Sequence, residues 1–155
     1  MTFWILTTEY PPISGGGIST YCFHTGQMLS AKGHQVTIFI PDWSVKYTKI
    51  KVESGVRVVS FKPESHHHEY LGDESALSLS FSHIINEFAH AEGAPDFIEA
   101  QEYNGIAYYA LQKKLLLSNY FQNTTFYVTA HAPGFLYQDY NQAPMYEIPM
   151  YWTGE

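Results

Sequence analysis

The chain is 155 residues long, 45% hydrophobic and 15% charged, a composition that suits one compact domain and excludes a disordered chain. Its formal net charge of −7 argues against nucleic acid as a partner. The single cysteine excludes an intrachain disulfide, and no apolar run reaches the roughly 18 residues that a membrane span needs. The first residues lack the features of a signal peptide, so a cytoplasmic location is expected.

The first third of the chain predicts a strand, a loop, a helix and a second strand. Residues 3–8 form a short apolar run, and the loop that follows, residues 9–17, ends in three glycines. A helical pattern begins at Ile18, and Gly33 stands where helices commonly end in a left-handed residue. Residues 35–40 predict the second strand. The apolar face of this helix is predicted to be Ile18, Tyr21, Cys22, Thr25, Met28 and Leu29.

The remainder of the chain continues the alternation of strands and helices. Three further strands are predicted, at residues 56–61, 96–100 and 125–129. Two helices separate them, one with an apolar stripe at Leu77, Phe81, Ile84, Ile85 and Phe88 and one over about residues 103–117. Residues 42–53 predict irregular structure and residues 62–72 a loop. This order indicates an α/β fold, a Rossmann-like, mostly parallel sheet with helices on both faces.

The glycine-rich loop is the strongest candidate for a binding site. In parallel α/β sheets, ligands bind beyond the carboxyl ends of strands, which selects the loops at 9–17, 101–105 and 131–135. Free N–H groups and the dipole at a helix start favour an anion such as phosphate, here at Gly15, Gly16 and Gly17. The alternative is an ordinary flexible loop between a strand and a helix.

Other site types are weaker. A dinucleotide fingerprint, and with it an NAD-dependent oxidoreductase, would need a third glycine where Thr20 stands, and Asp42 fits either a ribose-binding acid or a turn. The adjacent histidines 66–68 point different ways on an extended chain, so a metal site is not expected there. No other cofactor is expected either. Cys22 is predicted to be a core residue. A stand-alone sugar- or nucleotide-binding module remains a further alternative.

Three ordered segments resemble retaining glycosyltransferases of the glycogen-synthase and family 4 type. The first is residues 5–41, with the E-[FY]-P-P, G-G-[IL] and A-x-G-H-x-V pattern. The second is PDFIEAQE at residues 95–102, and the third is TAH at residues 129–131. In the first segment the matching residues are Glu9, Pro11, Pro12, Gly16, Gly17, Ile18, Ala31, Gly33, His34 and Val36.

This resemblance implies a GT-B fold, in which two Rossmann-like domains face each other across a cleft. The N-terminal domain mostly binds the acceptor, and the C-terminal domain, which is not expected in this chain, holds most of the nucleotide-sugar site together with its E-x7-E motif. Residues 1–134 are therefore expected to be the N-terminal domain, and residues 135–155 an aromatic-rich tail toward the remaining enzyme. The chain alone is expected to be inactive, and its exposed tail to form weak homodimers.

The resemblance also implies residue roles. Gly16 and Gly17 map beside the donor diphosphate, and His131, the candidate catalytic residue, maps near the transferred sugar. Strand-end position makes Glu102 and Tyr103 candidates for contact with a sugar or glycan acceptor, and Glu9 is a further candidate. The family often has histidine where this chain has Glu99, so Glu99 is given no role.

Overall fold

The computed structural model describes residues 1–116, 120–131 and Tyr140. The elements in chain order are β1 (Thr2–Leu6), α1 (Gly17–Ala31), β2 (Gln35–Pro41), β3 (Lys49–Glu53), β4 (Val56–Phe61), α2 (His68–Leu71), α3 (Asp73–Glu92), β5 (Phe97–Gln101), a 3-10 turn (Tyr103–Gly105), α4 (Tyr108–Leu115) and β6 (Thr125–Thr129). The tail at 135–155, Tyr140 excepted, and the loop after His131 lie outside the described residues. No helix in the described part is long and apolar enough to cross a bilayer.

Six strands form one sheet in the order β3-β4-β2-β1-β5-β6. The β3–β4 pair is antiparallel and the other four neighbouring pairs are parallel. Helix α1 covers one face, against Ile5, Ile38 and Val56, and α3 and α4 cover the other face, against Trp4 and Phe39. The predicted mostly parallel α/β sheet with helices on both faces is confirmed, and the five predicted strands are β1, β2, β4, β5 and β6.

Three local predictions are wrong. Residues 49–53, expected to be irregular, form the edge strand β3, whose five residues are all exposed and so give no buried-face pattern. The expected helix over 103–117 is a 3-10 turn followed by α4, because Asn104 has a left-handed φ of 59° that breaks the helix. Part of the expected loop at 62–72 forms the single turn of α2.

Helix α1 is rotated relative to its predicted apolar face. Tyr21 and Met28 are 37% and 48% exposed, while Cys22 and Gly26 are buried. A Cβ on Gly26 would lie 3.1 Å from Ile38 Cδ1, so the missing side chain allows the helix to approach the sheet closely. The stripe on α3 is confirmed, with Phe81 and its neighbours in the core. Gly33 has the predicted left-handed φ, at 82°.

Candidate functional site

The carboxyl ends of β1, β5 and β6 are neighbours at one edge of the sheet. Parallel pairing of β1 with β5 and of β5 with β6 brings together the segments that follow these strands. The backbone N–H of Glu102 donates to the carbonyl of Thr129 at 3.1 Å, which continues the β5–β6 pairing into the following residues. All the candidate site residues therefore lie at this edge, namely those of the glycine-rich loop, Glu102, Tyr103 and His131.

The loop between β1 and α1 is held by its own hydrogen bonds. Tyr10 is 2% exposed, its N–H donates to Ser14 Oγ at 3.1 Å, and its carbonyl accepts from the N–H groups of Ile13 and Ser14. The Thr7 hydroxyl donates to the carbonyl of Glu9 at 2.9 Å. Such bonding gives the loop a defined shape, which an ordinary flexible connection would lack.

Among the residues that the structure describes, the start of α1 is open. No side chain caps the helix at Gly16, and no acidic residue lies in its first turn. A Cβ built on Gly15 or Gly17 would meet nothing within 4 Å. A Cβ on Gly16 would instead collide with Glu9 Oε2, so the Glu9 carboxylate lies directly against this glycine. The helix start thus combines free space, uncapped N–H groups and one carboxylate.

His131 is anchored through a buried glutamine. Its Nε2 contacts Oε1 of Gln101, which is 1% exposed. Gln101 Nε2 donates to Glu99 Oε1 at 3.5 Å, and this bond orients the amide so that its oxygen faces the imidazole. The hydrogen of neutral His131 is therefore assigned to Nε2, which leaves the Nδ1 lone pair as an acceptor.

Glu99 connects this histidine to helix α1. Its Oε1 accepts from the Tyr21 hydroxyl at 2.8 Å and from the Thr129 hydroxyl at 2.8 Å. The Tyr21 ring also meets the His131 ring edge-on, with 5.2 Å between ring centroids. Sequence reasoning gave Glu99 no role, although a carboxylate within a buried strand was a signal that it has hydrogen-bond partners nearby.

The glycine start of α1 and His131 consequently lie near each other. Tyr21, which touches His131, is four residues after Gly17, about 6 Å along the helix axis. Tyr103 is 46% exposed, and no hydrogen bond or ring contact in the described part joins it to the glycines or to His131. Glu102 is half-buried and directly follows β5.

Burial affects two ionisable groups of α1. Desolvation, followed by the hydrogen bond and the charge of Glu99, raises the pKa of Tyr21, with Thr129 and Thr25 acting in the opposite direction. Desolvation raises the pKa of Cys22 to about 11, which keeps the thiol neutral and unreactive at neutral pH. Cys22 is fully buried, so its prediction as a core residue is confirmed.

Asp42 behaves as a turn residue. Its Oδ1 accepts from the backbone N–H of Ser44 at 2.9 Å and from the Ser44 hydroxyl at 2.6 Å. These two bonds are the largest cause of its lowered pKa. The carboxylate is therefore engaged by its own turn, which favours the turn interpretation over that of a ribose-binding acid.

Comparison with solved structures defines the class of the fold. Sucrose-phosphate synthase from Thermosynechococcus elongatus superposes with a TM-score of 0.64 at 14% identity, over 89% of this chain and 35% of that one. The catalytic domain of starch synthase IV from Arabidopsis thaliana, bound to ADP and acarbose, gives 0.59 at 18% identity, over 84% and 33%. Os79 from O. sativa in complex with UDP gives 0.54 at 12% identity, over 93% and 32%. The chain has the α/β fold of GT-B glycosyltransferases.

Sequence comparison gives a more particular likeness. Glycogen synthase from Mycobacterium tuberculosis is 28% identical over 90 residues, which are 55% of this chain and 22% of that protein. No family model matches the chain. The chain spans about a fifth of the relative's length, and it resembles a glycogen synthase-like GT-B domain, as its sequence motifs indicate.

Proposed function

We propose that this chain is the acceptor-side, N-terminal domain of a retaining glycosyltransferase that moves a sugar from a nucleotide-sugar donor to a sugar or glycan acceptor. The observation that carries the proposal is the contact chain from α1 through Tyr21, Glu99 and Gln101 to His131. It brings an uncapped helix start and an oriented imidazole to one edge of the sheet. The GT-B fold and the similarity to glycogen synthase support the reaction class.

The donor diphosphate fits the start of α1. Glycosyl transfer leaves negative charge on the diphosphate, and N–H groups at a helix N-terminus stabilise such charge without having to reorganise. A Cβ built on Gly15 or Gly17 would meet nothing within 4 Å, so phosphate oxygens have space to approach the backbone there. Two of the structurally similar proteins contain ADP or UDP, the diphosphate product expected from such a donor.

The sugars fit the side chains around this helix start. With its hydrogen on Nε2, His131 would accept a hydrogen bond from a sugar hydroxyl at Nδ1, and the buried Gln101 amide fixes the ring. The Glu9 carboxylate against Gly16 would repel a diphosphate, so a sugar hydroxyl is its better partner. Glu102 and Tyr103, farther along the same edge, would contact the acceptor. These groups hold the reactants in place, which supplies much of the rate in transfer reactions.

The domain boundaries belong to the same proposal. Residues 1–134 form the acceptor-side domain, residues 135–155 lead toward a second Rossmann-like domain, and no metal or other cofactor takes part in sugar transfer. The second domain would complete the donor site, so this chain alone should show no turnover. A stand-alone binding module would also show no turnover, but it would bind nucleotide fully without any further domain, so the nucleotide affinity of this chain alone separates the two.

The test is a donor screen on the product of the complete reading frame. UDP-, ADP- and GDP-sugars are supplied with glycan acceptors, and the product is analysed by mass spectrometry and by NMR of the anomeric carbon. His131→Ala should lower kcat/KM by about 100-fold, the scale expected for a positioning and electrostatic contact. Glu99→Ala should lower it by about 10-fold or more through His131, while exposed His24→Ala serves as the matched control.

Three results would contradict the proposal. Full turnover by His131→Ala would remove this residue from the site. Binding of a nicotinamide dinucleotide in preference to UDP or ADP would favour the oxidoreductase alternative. A product with inverted anomeric configuration would refute the retaining mechanism and leave glycosyl transfer intact.

A further inference from the structure

A second cluster of polar side chains follows β4, in the segment that leads to α2. His66 Nε2 and His67 Nε2 lie 3.6 Å and 3.3 Å from Glu64 Oε2. One ligand atom from each of these three residues lies within 4.8 Å of the other two. The two imidazole rings are only 4.0 Å apart between centroids, so adjacent histidines here converge.

A turn in the backbone explains this convergence. Residues 66 and 67 occupy a turn immediately before α2, whereas the sequence argument against a metal site assumed an extended chain. His68 takes a different direction, with Nδ1 2.6 Å from Asp73 Oδ1 and its ring against Trp43. The cluster therefore contains two of the three adjacent histidines together with one carboxylate.

The distances from Glu64 to the two imidazole nitrogens are close to those of a transition-metal site. Zinc binds histidine nitrogen and carboxylate oxygen at about 2.0–2.2 Å, and two ligands of a tetrahedral ion at such distances are about 3.3–3.5 Å apart. The two distances to Glu64 are 3.3 Å and 3.6 Å. Two imidazoles and one carboxylate form the ligand set of many catalytic zinc sites, in which the fourth position holds water or a ligand.

Helix α3 orients the carboxylate through outer contacts. His83 Nδ1 lies 3.1 Å from Glu64 Oε1, the oxygen opposite the one that faces His66 and His67. The Glu64 backbone N–H donates to Ser80 Oγ at 3.0 Å. A carboxylate oriented by an outer hydrogen bond is what a metal ligand requires.

We infer that Glu64, His66 and His67 form a binding site for a divalent transition-metal ion of the zinc type, with His83 as the residue that orients Glu64. The site differs from the sugar site because β4 lies two strand spacings from β1 and three from β5 in the sheet, about 10 Å and about 14 Å. A cavity of about 180 Å³, lined in part by Lys62, Glu64 and His83, adjoins it. Zinc bound there would fix the segment between β4 and α2 against α3.

The experiment titrates the untagged full chain with Zn²⁺ by calorimetry and with Co²⁺ by visible absorption, since four-coordinate Co²⁺ absorbs strongly. One equivalent of either metal should bind. His67→Ala and Glu64→Gln should each weaken binding by at least 10-fold, and His83→Asn by about 10-fold, the usual effect of an outer contact on metal affinity. Zn²⁺ should raise the melting temperature of the wild type and not that of the His66→Ala/His67→Ala variant.

His24→Ala is the matched control, because His24 is exposed on α1 and outside the cluster. It should bind Zn²⁺ as the wild type does. The His66 side chain is 68% exposed, so these variants should fold, and circular dichroism checks this. Absence of Zn²⁺ binding would overturn the inference and leave Glu64 with ion pairs alone. Equal affinity in the wild type and the double histidine variant would overturn it as well.

Discussion

At the scale of single residues, Gly16 and Gly15 of the glycine-rich loop differ in what an added side chain would meet. An alanine Cβ at Gly16 would collide with Glu9 Oε2, while one at Gly15 would meet nothing within 4 Å. The Gly16 backbone is extended, with φ of 161°, so alanine adds no backbone strain there. The contact is with the end of a flexible side chain, which can move away. Gly16→Ala should therefore leave the fold intact and displace the Glu9 carboxylate.

The expected result in the complete enzyme is a fall in kcat/KM of about 10-fold for Gly16→Ala, equal to about 1.4 kcal/mol of transition-state stabilisation. In a Glu9→Ala background, the matched control, Gly16→Ala should remain within about twofold of Glu9→Ala alone, because the displaced carboxylate is then absent. Steady-state kinetics and melting temperatures of these variants test this. If Gly16→Ala still lost about 10-fold in the Glu9→Ala background, the position of Glu9 would have no part in the effect.

Cys22 gives a pH dependence of stability. Its pKa is about 11 in the fully buried site and 9.0 for the ordinary thiol. The raised pKa means that the thiol's full contribution to stability is present below pH 9. The contribution is lost as pH rises toward 11, because only the unfolded chain ionises readily in that window. The loss from pH 8 to pH 10 should be about 1.4 kcal/mol greater in the wild type than in Cys22→Ala.

Urea unfolding of both proteins at pH 8 and pH 10 measures this difference. Burial, with smaller contributions from Glu53 and Cys22, raises the pKa of Tyr10 to about 12. Tyr10 therefore ionises at higher pH in the folded state, and it is present in both proteins. The alanine variant should be less stable at every pH because it leaves a cavity, but its stability should fall less steeply. Equal slopes for the two proteins would mean that the thiol is not desolvated in the native state.

At the scale of elements, Gly26 determines how closely α1 approaches the sheet. A Cβ there would be 3.1 Å from Ile38 Cδ1 and 3.6 Å from the γ carbons of Val56. Alanine gains about 1 kcal/mol of helix propensity, which offsets the tight contact, so Gly26→Ala should be nearly neutral. Gly26→Val adds two further methyl groups and should lose about 1–3 kcal/mol by overpacking. Denaturant unfolding measures the stability of both variants. A Gly26→Val protein as stable as the wild type would contradict the close packing of α1 on the sheet.

How far sequence predicts these elements depends on burial. The strands β1, β2, β4 and β5 carry buried apolar residues, so their pattern was visible, as was the stripe around Phe81 on α3. The exposed strand β3 has no buried face and follows only from pairing with β4, which is a tertiary contact. The break at Asn104 depends on one left-handed residue, which local sequence does not specify.

The residues of the candidate site, too, were predictable from sequence only in part. The strand-end rule located the glycine-rich loop and His131 because it needs only the order of elements. Glu99 was missed because its partners are 78 residues away at Tyr21 and 30 residues away at Thr129. The convergence of His66 and His67 on Glu64 likewise depends on a turn that the sequence pattern does not reveal.

At the scale of the whole molecule, the apolar surface beside β6 predicts self-association. Tyr127 and Val128 on this edge strand are each 52% exposed. Leu115 and Leu116, at the end of α4, are 80% and 67% exposed. Within the described residues β6 is the last strand of the sheet, and a last strand with exposed apolar side chains offers backbone groups and apolar surface for association. If residues 135–155 lead to a second domain, this chain alone would expose surface that the complete enzyme covers.

Sedimentation velocity over a series of concentrations should show weak dimers in rapid exchange. Val128→Lys introduces a charge on the edge strand and should shift the equilibrium toward monomer. Removal of residues 135–155 should have the same effect if the tail takes part in the dimer contact. Thr20→Lys, at an exposed position on α1, adds the same charge away from this edge and should leave the equilibrium unchanged. A chain that remains monomeric at the highest concentration would contradict the prediction. A Val128→Lys protein that dimerises as the wild type does would place the contact on another surface.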